Sequence, residues 1–331
     1  MTAAAIARRS SIRRGLMPVR SLRDMAPLAD LMEAAFGGDV DPEGQRLIRE
    51  MRSYGRAGIL GWLAGRFVLP PAAYPRGYVW YEDGRLVGNA SVLPVESGAA
   101  RWVLANVAVH AEYRRRGIAR EMVRSCLELA RRRQGAEMVL QVETQNEGAV
   151  QLYRDLGFRH LADRTTYRRP ANVSVPENLD LGLARERRPD EWREQYRLAL
   201  EEYPEGVVWP FPVRVEFFRG PAIGGLVVPG PFRHWVCMEG ATIVGSLTAR
   251  PDWDRSVWRL VLLSARSHRG QVEAGLIACA LDYLGSESSV VLDYTAATAG
   301  PELDRLGFHP ERSLTWMGAQ LLPARHRVAI P

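Results

Sequence analysis

Arg114-Arg115-Arg116-Gly117-Ile118-Ala119 joins an apolar strand, predicted over Val103 to Val109, to a helix predicted to begin near Ile118. The first amides of a helix lack backbone partners, and the helix dipole adds positive potential where they point. Gly117 lets the backbone approach an oxygen closely, and the arginines add charge and forked donors. The stretch therefore predicts a turn that binds an anion such as a phosphate.

A second motif lies downstream of this turn. The pattern predicts a helix to about Arg133 and an apolar strand from Met138 to Val142, and the chain then reads Glu143-Thr-Gln-Asn146-Glu-Gly-Ala149-Val-Gln-Leu152-Tyr153-Arg-Asp-Leu-Gly157-Phe158. Asn146 is predicted to cap the next helix, because its side chain can accept from the first free amides. Gly157 is predicted to end that helix.

The two motifs, R-x-x-G-x-A and N-x-x-A-x-x-L-Y-x-x-x-G-F, with a strand between them, resemble the GNAT superfamily of acyl-CoA-dependent N-acetyltransferases. The resemblance implies an α/β (α+β) fold in which a mixed, mostly antiparallel central sheet is flanked by helices. It also implies an acyltransferase whose cofactor is acetyl-CoA (coenzyme A).

The resemblance further implies which residues hold the cofactor. Arg114, Gly117 and Ala119 match the turn that cradles the pyrophosphate of coenzyme A. In the family a bulge splays the preceding strand, so its backbone pairs with the pantetheine arm, and the residues nearest the sulfur match Asn146 and Tyr153. The full predicted set is Val107, Ala108, Val109, Arg114, Arg115, Arg116, Gly117, Ile118, Ala119, Asn146 and Tyr153.

Tyr153 is the predicted leaving-group acid. A phenol with an ordinary pKa of about 10 is roughly matched to a departing thiolate, so it can supply the proton. The base that deprotonates the acceptor is open, because the strand before the turn offers no carboxylate. Glu143 and Glu96 are the nearby candidates, and a water chain or an amine arriving neutral would make a dedicated base unnecessary.

Upstream, the sequence predicts the elements that precede this core. Val19 to Ser21 is predicted as a first strand, followed by a helix that begins near Asp24. The segment from Tyr78 to Leu93 is predicted as a hairpin that turns at Asp83-Gly84. Between them, Met51 to Leu69 is an apolar segment that predicts a second helix or a lid over the acceptor site.

The second half of the chain repeats the first at a nearly constant offset, which predicts two copies of one domain. Val244-Gly245 in a predicted hairpin corresponds to Val87-Gly88, and Leu303-Asp-Arg-Leu-Gly307-Phe308 corresponds to the tyrosine motif. The predicted organisation is a flexible basic leader at 1–16, a domain with the intact motif at 17–169, a linker at 170–179 and a degenerate copy at 180–331.

The second copy departs from the pattern at the positions that carry the chemistry. Ser267 stands where the first copy has Arg114, and Glu273 places a negative charge close to the corresponding turn. Leu303, or Glu302 in a shifted register, replaces the tyrosine. We expect this copy to have lost the cofactor and to contribute packing and the shape of the acceptor cleft.

Composition is typical of a soluble two-domain enzyme. The 331 residues, 47% of them hydrophobic, are enough for two cores, and no apolar run approaches the ~20 residues of a membrane span. The three cysteines and six histidines lack the spacing of metal ligands, so we expect no metal site. The cysteines lie in apolar patterns, so we expect them to be reduced core residues of a cytoplasmic protein. We expect that protein to be a monomer or a homodimer.

The net charge of +6 invites a comparison with nucleic-acid binders. All 44 basic residues are arginines, and their clusters lie at helix ends or among acids, without an aromatic ladder or a groove-reading motif. An anionic cofactor accounts for part of the excess, so no nucleic-acid partner is predicted.

The predicted activity is transfer of an acetyl group from acetyl-CoA to a primary amine of a small molecule or peptide, by direct attack in a ternary complex. A non-catalytic acyl-CoA sensor is one alternative. An acyltransferase that uses a longer acyl chain or a protein N-terminus is another. The sequence carries no motif that identifies the acceptor.

Overall fold

The computed structural model describes residues 13–36, 45, 48–53, 76–95, 100–175, 181–202, 207–208, 211–212, 215–219, 232–251, 257–294 and 296–321. Most of the predicted leader, residues 54–69 of the predicted helix or lid, Glu96 and the linker residues 176–179 lie outside these ranges. The chain divides into two compact units. Unit 1 comprises residues 1–140, 151–159 and 318–331, and unit 2 comprises residues 141–150 and 160–317.

Unit 1 is built on the strand order β1-β2-β3-β4-β5, in which only the β4–β5 pair is parallel. The strands are β1 (Gly15–Pro18), β2 (Gly77–Glu82), β3 (Arg85–Pro94), β4 (Arg101–Val109) and β5 (Glu137–Glu143). The helices are α1 (Ser21–Phe36), α2 (Ile118–Arg132) and α3 (Glu147–Asp155), and the last residues of β5 and the first of α3 belong to unit 2.

The hairpin of unit 1 forms as predicted. Asp83 and Gly84 have φ angles of 47° and 84°, and two left-handed residues match the twist of the β2 and β3 strands they join. The first strand, however, lies earlier than predicted, because Ser21 already belongs to α1. The carboxylate of Asp24 accepts a hydrogen bond from the Arg20 amide (2.7 Å), which begins the helix at that point.

Helices cover both faces of the unit 1 sheet. On one face, Leu28 of α1 packs in a core with Val79 and Tyr81 of β2. On the other face, α2 approaches β3 closely, because a Cβ added at Gly88 would lie 3.0 Å from the Met122 side chain.

Unit 2 has the strand order β7-β10-β11-β12-β13-β6-β14, with β12 and β13 parallel. Its strands are β6 (Arg159–Arg169), β7 (Arg185–Glu186), β10 (Arg233–Glu239), β11 (Thr242–Pro251), β12 (Val257–Ser264), β13 (Ser289–Tyr294) and β14 (His309–Gln320), with β8 (Val207–Val208) and β9 (Phe211–Pro212) as a separate pair. Its helices are α4 (Trp192–Glu202), α5 (Val215–Arg219), α6 (Glu273–Leu284) and α7 (Ala296–Arg305).

The units do not follow the chain in a simple order. From residue 160 onward β6 belongs to unit 2, where it pairs antiparallel with β13. Residues 318–331 belong to unit 1, where the Leu321 amide donates to the Ala136 carbonyl (2.9 Å). The predicted domain boundaries follow from a repeat in the sequence. The division into two compact units does not test that repeat, so the boundaries stay a prediction.

The predicted fold class is confirmed: both sheets are mixed, mostly antiparallel and flanked by helices. The three cysteines are buried and free, as expected. No helix in the described ranges combines the length and apolarity needed to cross a membrane.

Candidate functional site

The candidate site of unit 1 begins at an irregularity in β4. The register of β3 against β4 shifts between Asn89 and Ser91, so β4 carries an extra residue, and Asn106 takes a left-handed φ of 54°. This is a β-bulge, as the family resemblance implies. On its other side β4 pairs with β5 only as far as Val103, so the backbone from Val107 to Val109 lies beyond that pairing.

The turn after β4 is shaped to receive an anion. A short 3-10 helix (Ala111–Tyr113) leads into Arg114 at φ −65°, while Arg115 and Gly117 have φ angles of 64° and 79°. Residues of opposite hand in succession aim their amides into one concavity, known as a nest. In the described part of the chain, no hydrogen bond satisfies the amides of residues 117–119 at the start of α2. The turn therefore presents free donors at the positive end of a helix.

The arginines of this turn are exposed, and two of them also hold the turn together. Arg114 Nε donates to the Val109 carbonyl (3.1 Å), which ties the turn to the end of β4. Arg116 donates to the Glu112 carbonyl (3.0 Å), and its guanidinium lies 4.9 Å from the centre of the Tyr113 ring. Their remaining N–H groups are exposed to solvent and are therefore accessible to a phosphate.

Tyr153 lies on α3, in the part of that helix that belongs to unit 1. It is 6% exposed, and its ring packs edge-on against Phe158 with the centroids 5.7 Å apart. Burial raises the pKa of Tyr153, so the phenol is protonated at neutral pH. Arg120 of α2 donates to Asp155 of α3 (2.7 Å), a contact that joins the helix of the turn to the helix of the tyrosine.

Two further candidates, Glu143 and Asn146, belong to unit 2. Asn146 Oδ1 accepts from the Ala149 amide (3.1 Å), so the predicted helix cap is confirmed, and its Nδ2 group is left for another partner. Glu143 is exposed at the end of β5, and Glu96 lies outside the described residues. Their roles, and those of the cofactor-binding set, stay predictions.

The corresponding turn of unit 2 also follows a short 3-10 helix (Arg266–His268), but it has a single left-handed residue and contains a carboxylate. Gly270, with a φ of 83°, directly follows Arg269, as the left-handed Arg115 directly follows Arg114 in unit 1. The helix α6 begins three residues after Gly270, whereas α2 begins directly after Gly117, whose φ is 79°. Glu273 Oε2 accepts from the amides of Gly270 (2.9 Å) and Val272 (3.1 Å), while its Oε1 accepts from the Tyr294 hydroxyl (2.6 Å). The donors that would hold an external anion are therefore bound to the chain's own side chain, which is 2% exposed.

The strand before this second turn also differs. β11 and β12 pair in one continuous register from Gly245↔Ser264 to Pro251↔Trp258, and no residue of β12 has a positive φ. The bulge of β4 in unit 1 thus has no counterpart in β12 of unit 2. Leu303, at the position of the tyrosine, is fully buried among apolar side chains. Unit 2 therefore lacks three features of unit 1: the free amides of the turn, the bulge of the preceding strand and the tyrosine on the later helix.

Comparison with known proteins agrees with these features. A family profile described as "Acetyltransferase (GNAT) family" matches residues 43–158. N-alpha-acetyltransferase RimI of Mycobacterium tuberculosis is 33% identical over 115 residues, which are 32% of this chain and 71% of that protein. The chain belongs to the GNAT acetyltransferase family.

Other GNAT relatives are similar over shorter stretches. N-acetyltransferase 8B of Rattus norvegicus is 37% identical over 87 residues, or 25% of this chain. The alignment spans 39% of that protein, so the chain covers about two fifths of its length. The family profile, at residues 43–158, spans the part of the chain that carries the intact motifs.

The fold similarity extends over the whole chain. A GCN5-related N-acetyltransferase from Sphaerobacter thermophilus superimposes with a TM-score of 0.60 at 15% identity, covering 94% of this chain and 96% of that one. The fold of that protein thus extends over both halves of this chain. The relatives named above are N-acetyltransferases, and the family profile bears the description of an acetyltransferase family.

Sequence reasoning missed two site residues: Asn106, which forms the bulge, and Asn89, which contacts it. It placed Glu273 close to the second turn, and the structure adds that the carboxylate accepts from the amides of that turn. An asparagine inside an otherwise apolar strand was the available signal for Asn89. Within the described residues, no group of three or more potential ligands could hold a metal ion.

Proposed function

We propose that this GNAT protein is an N-acetyltransferase that moves an acetyl group from acetyl-CoA to a primary amine of a small molecule or peptide, by direct attack in a ternary complex. The observation that carries the proposal is the turn from Arg114 to Ala119 with its free amides, directly after a bulged strand. The second half, where the same turn is closed by Glu273, offers no equivalent site.

The residues of the first half fit acetyl-CoA. A pyrophosphate needs several convergent donors, and the amides of residues 117–119 are unsatisfied within the described chain. Nothing lies within 4 Å of a Cβ added at Gly117, so the approach to these amides is open. Arg114, Arg115 and Arg116 are exposed around them and supply opposite charge. When bound, acetyl-CoA supplies a thioester with an electrophilic acyl carbon and a thiolate leaving group.

Tyr153 is the proposed acid for that leaving group. A phenol carries its proton throughout the neutral range even at its ordinary pKa of about 10. Burial raises the pKa of Tyr153 further, so the proton is present but the free protein holds it as a weaker acid than an ordinary phenol. Glu143, exposed at the end of β5, and Glu96 are the proposed bases for the acceptor, with a water chain or a neutral amine as the route that needs neither. We place Asn146 Nδ2 among the cofactor contacts, because its Oδ1 is already used by the cap.

The location and the acceptor are further parts of the proposal. We propose a cytoplasmic monomer or homodimer that has no nucleic-acid partner. The relative named N-alpha-acetyltransferase adds peptide α-amines to the acceptors worth testing first. A screen of amines, amino acids, aminoglycosides and peptides that follows release of the free thiol from acetyl-CoA would find the acceptor.

Substitution of Tyr153 tests the catalytic role. We expect Tyr153→Phe to lower turnover about 10-fold to 1000-fold, because it removes the proton donor and keeps the ring. The affinity for acetyl-CoA should stay nearly the same. Turnover is measured by thiol release, and affinity by titration calorimetry.

Tyr167→Phe is the matched control, because it also removes a buried hydroxyl, from a tyrosine that is 4% exposed in the strand β6. Its turnover should remain within about twofold of the wild type. Unchanged turnover in Tyr153→Phe would remove the acid role. Acetyl-CoA binding without transfer to any amine in the wild type would favour the sensor alternative.

A further inference from the structure

The side chain of Asn89 on β3 contacts the bulge of β4 directly. It is fully buried, and its Nδ2 donates to the carbonyl oxygen of Asn106 (2.7 Å) and to the hydroxyl oxygen of Ser91 (3.1 Å). A carbonyl oxygen can only accept, so the nitrogen of the amide must face Asn106. The contact therefore fixes the orientation of the side chain, which ordinarily has to be assigned.

This arrangement costs free energy elsewhere in the same side chain. Asn89 Oδ1 is buried and has no hydrogen-bond partner among the residues that the structure describes, and an unpaired buried acceptor costs about 1 to 3 kcal/mol. A core residue selected for stability alone would avoid that cost. The unpaired Oδ1 is therefore best explained by a role of the Nδ2 group, which donates to the Asn106 carbonyl.

The held carbonyl determines where the next amide points. In a trans peptide the C=O of one residue and the N–H of the next point in opposite directions. Because the Asn106 carbonyl points to Asn89, the N–H of Val107 points away from that side chain. Val107 is one of the positions at which we propose that the strand backbone contacts the cofactor.

The second half provides an internal comparison. Ser246 follows Gly245 as Asn89 follows Gly88, and it is also fully buried. There the strand has no bulge and no carbonyl to hold, and the Gln195 side chain lies 3.3 Å from the Ser246 hydroxyl and 3.1 Å from that of Thr248. The asparagine and the bulge therefore occur together in one half and are both missing in the other.

We propose that Asn89 is a positioning residue for acyl transfer: by holding the Asn106 carbonyl, it aims the Val107 amide at the carbonyl oxygen of the thioester. This inference rests on the proposed function. A fixed donor aimed at an oxygen that gains negative charge stabilises the transition state more than the ground state. Asn89 acts through the backbone and does not touch the substrate.

The test combines infrared spectroscopy with kinetics. Acetyl-CoA labelled with carbon-13 at the thioester carbonyl is bound without an amine, and the carbonyl stretch is compared with that in solution. We expect a shift to lower frequency in the wild type, which is lost in Asn89→Ser. Turnover of that variant should fall ~10-fold to 100-fold, which is less than the roughly 100-fold to 1000-fold loss on removal of such a donor, because the Val107 amide stays in place and loses only its alignment. Its dissociation constant for coenzyme A should stay within about threefold, because the pyrophosphate turn is unchanged.

Serine is chosen because the second half already places a serine at the corresponding buried position. Ser91→Ala is the second variant, since it removes one partner of the Asn89 amide and keeps its contact with Asn106, and we expect a smaller loss in the same direction. Ser246→Ala is the matched control and should leave turnover and the carbonyl frequency unchanged.

Equal carbonyl frequencies in the wild type and Asn89→Ser would overturn the positioning role, even where the variant is less stable. So would unchanged turnover in Asn89→Ser. If Asn89→Ser fails to fold, a normal frequency together with normal turnover in Ser91→Ala contradicts the proposal. A wild type that binds no acetyl-CoA would instead overturn the proposed function on which the inference rests.

Discussion

Glu273 shows how a single residue can occupy the donors of a turn between a strand and a helix. Its carboxylate accepts from two amides of its own turn and from the Tyr294 hydroxyl, which are the kinds of donor that a phosphate would use. In the first half, Glu121 in the first turn of α2 is exposed and makes no such contact within the described residues. We interpret Glu273 as an internal substitute for the lost anion.

This interpretation predicts a structural role for Glu273. Glu273→Ala leaves two amides and a buried hydroxyl without their acceptor, so the free energy of unfolding should fall by about 2 to 4 kcal/mol. Chemical denaturation measures the change. Glu302→Ala, which removes a partly exposed glutamate paired with Arg305 in the same unit, should change it by less than about 1 kcal/mol.

Turnover gives the second measurement on these variants. Under conditions where Glu273→Ala is folded, its acetyl-CoA turnover should match the wild type. A loss of turnover at full folding would mean that the second turn takes part in the reaction. A stability equal to that of the wild type would show that the buried carboxylate is not needed for the fold.

The turn between strand and helix is the element that separates the two halves, and its glycines allow a matched test. Gly117 and Gly270 both have left-handed φ angles, of 79° and 83°, and neither has an atom within 4 Å of an added Cβ. Alanine at either position therefore introduces the same backbone strain, about 1 kcal/mol, without a steric clash.

We predict that the two alanine variants have similar stability and different affinity. Gly117→Ala should weaken acetyl-CoA binding by about 10-fold or more, because the methyl group covers the amides that would contact the pyrophosphate. Gly270→Ala should bind as the wild type does. Calorimetric titration gives both dissociation constants, and equal affinities in the two variants would contradict the assignment of the site to the first turn.

At the scale of the whole molecule, local patterns predicted much of the fold. The Asp83-Gly84 hairpin, the Asn146 cap and the strand-to-helix turn follow from residue chemistry that acts over a few positions, and all three are present. The first strand was misplaced, because the contact of Asp24 with the Arg20 amide starts α1 earlier than the apolar pattern suggests.

The pairing of strands that are distant in the chain could not be predicted from the sequence. Nothing in the residues of β6 indicates that it pairs with β13 in unit 2, because strand partners depend on the whole topology. The contact between Asn89 and Asn106 needs two strands in register and a bulge between them. The motif positions of the candidate site could be predicted, whereas the residues that support their geometry required the structure.

The central claim is that one half of this GNAT protein binds acetyl-CoA and the other is closed by its own carboxylate. Titration calorimetry of the full chain with acetyl-CoA tests it most directly. The account predicts one site per chain and loss of most of the affinity in Gly117→Ala. Two sites per chain, or a single site that is unaffected by Gly117→Ala and weakened by Gly270→Ala, would contradict it.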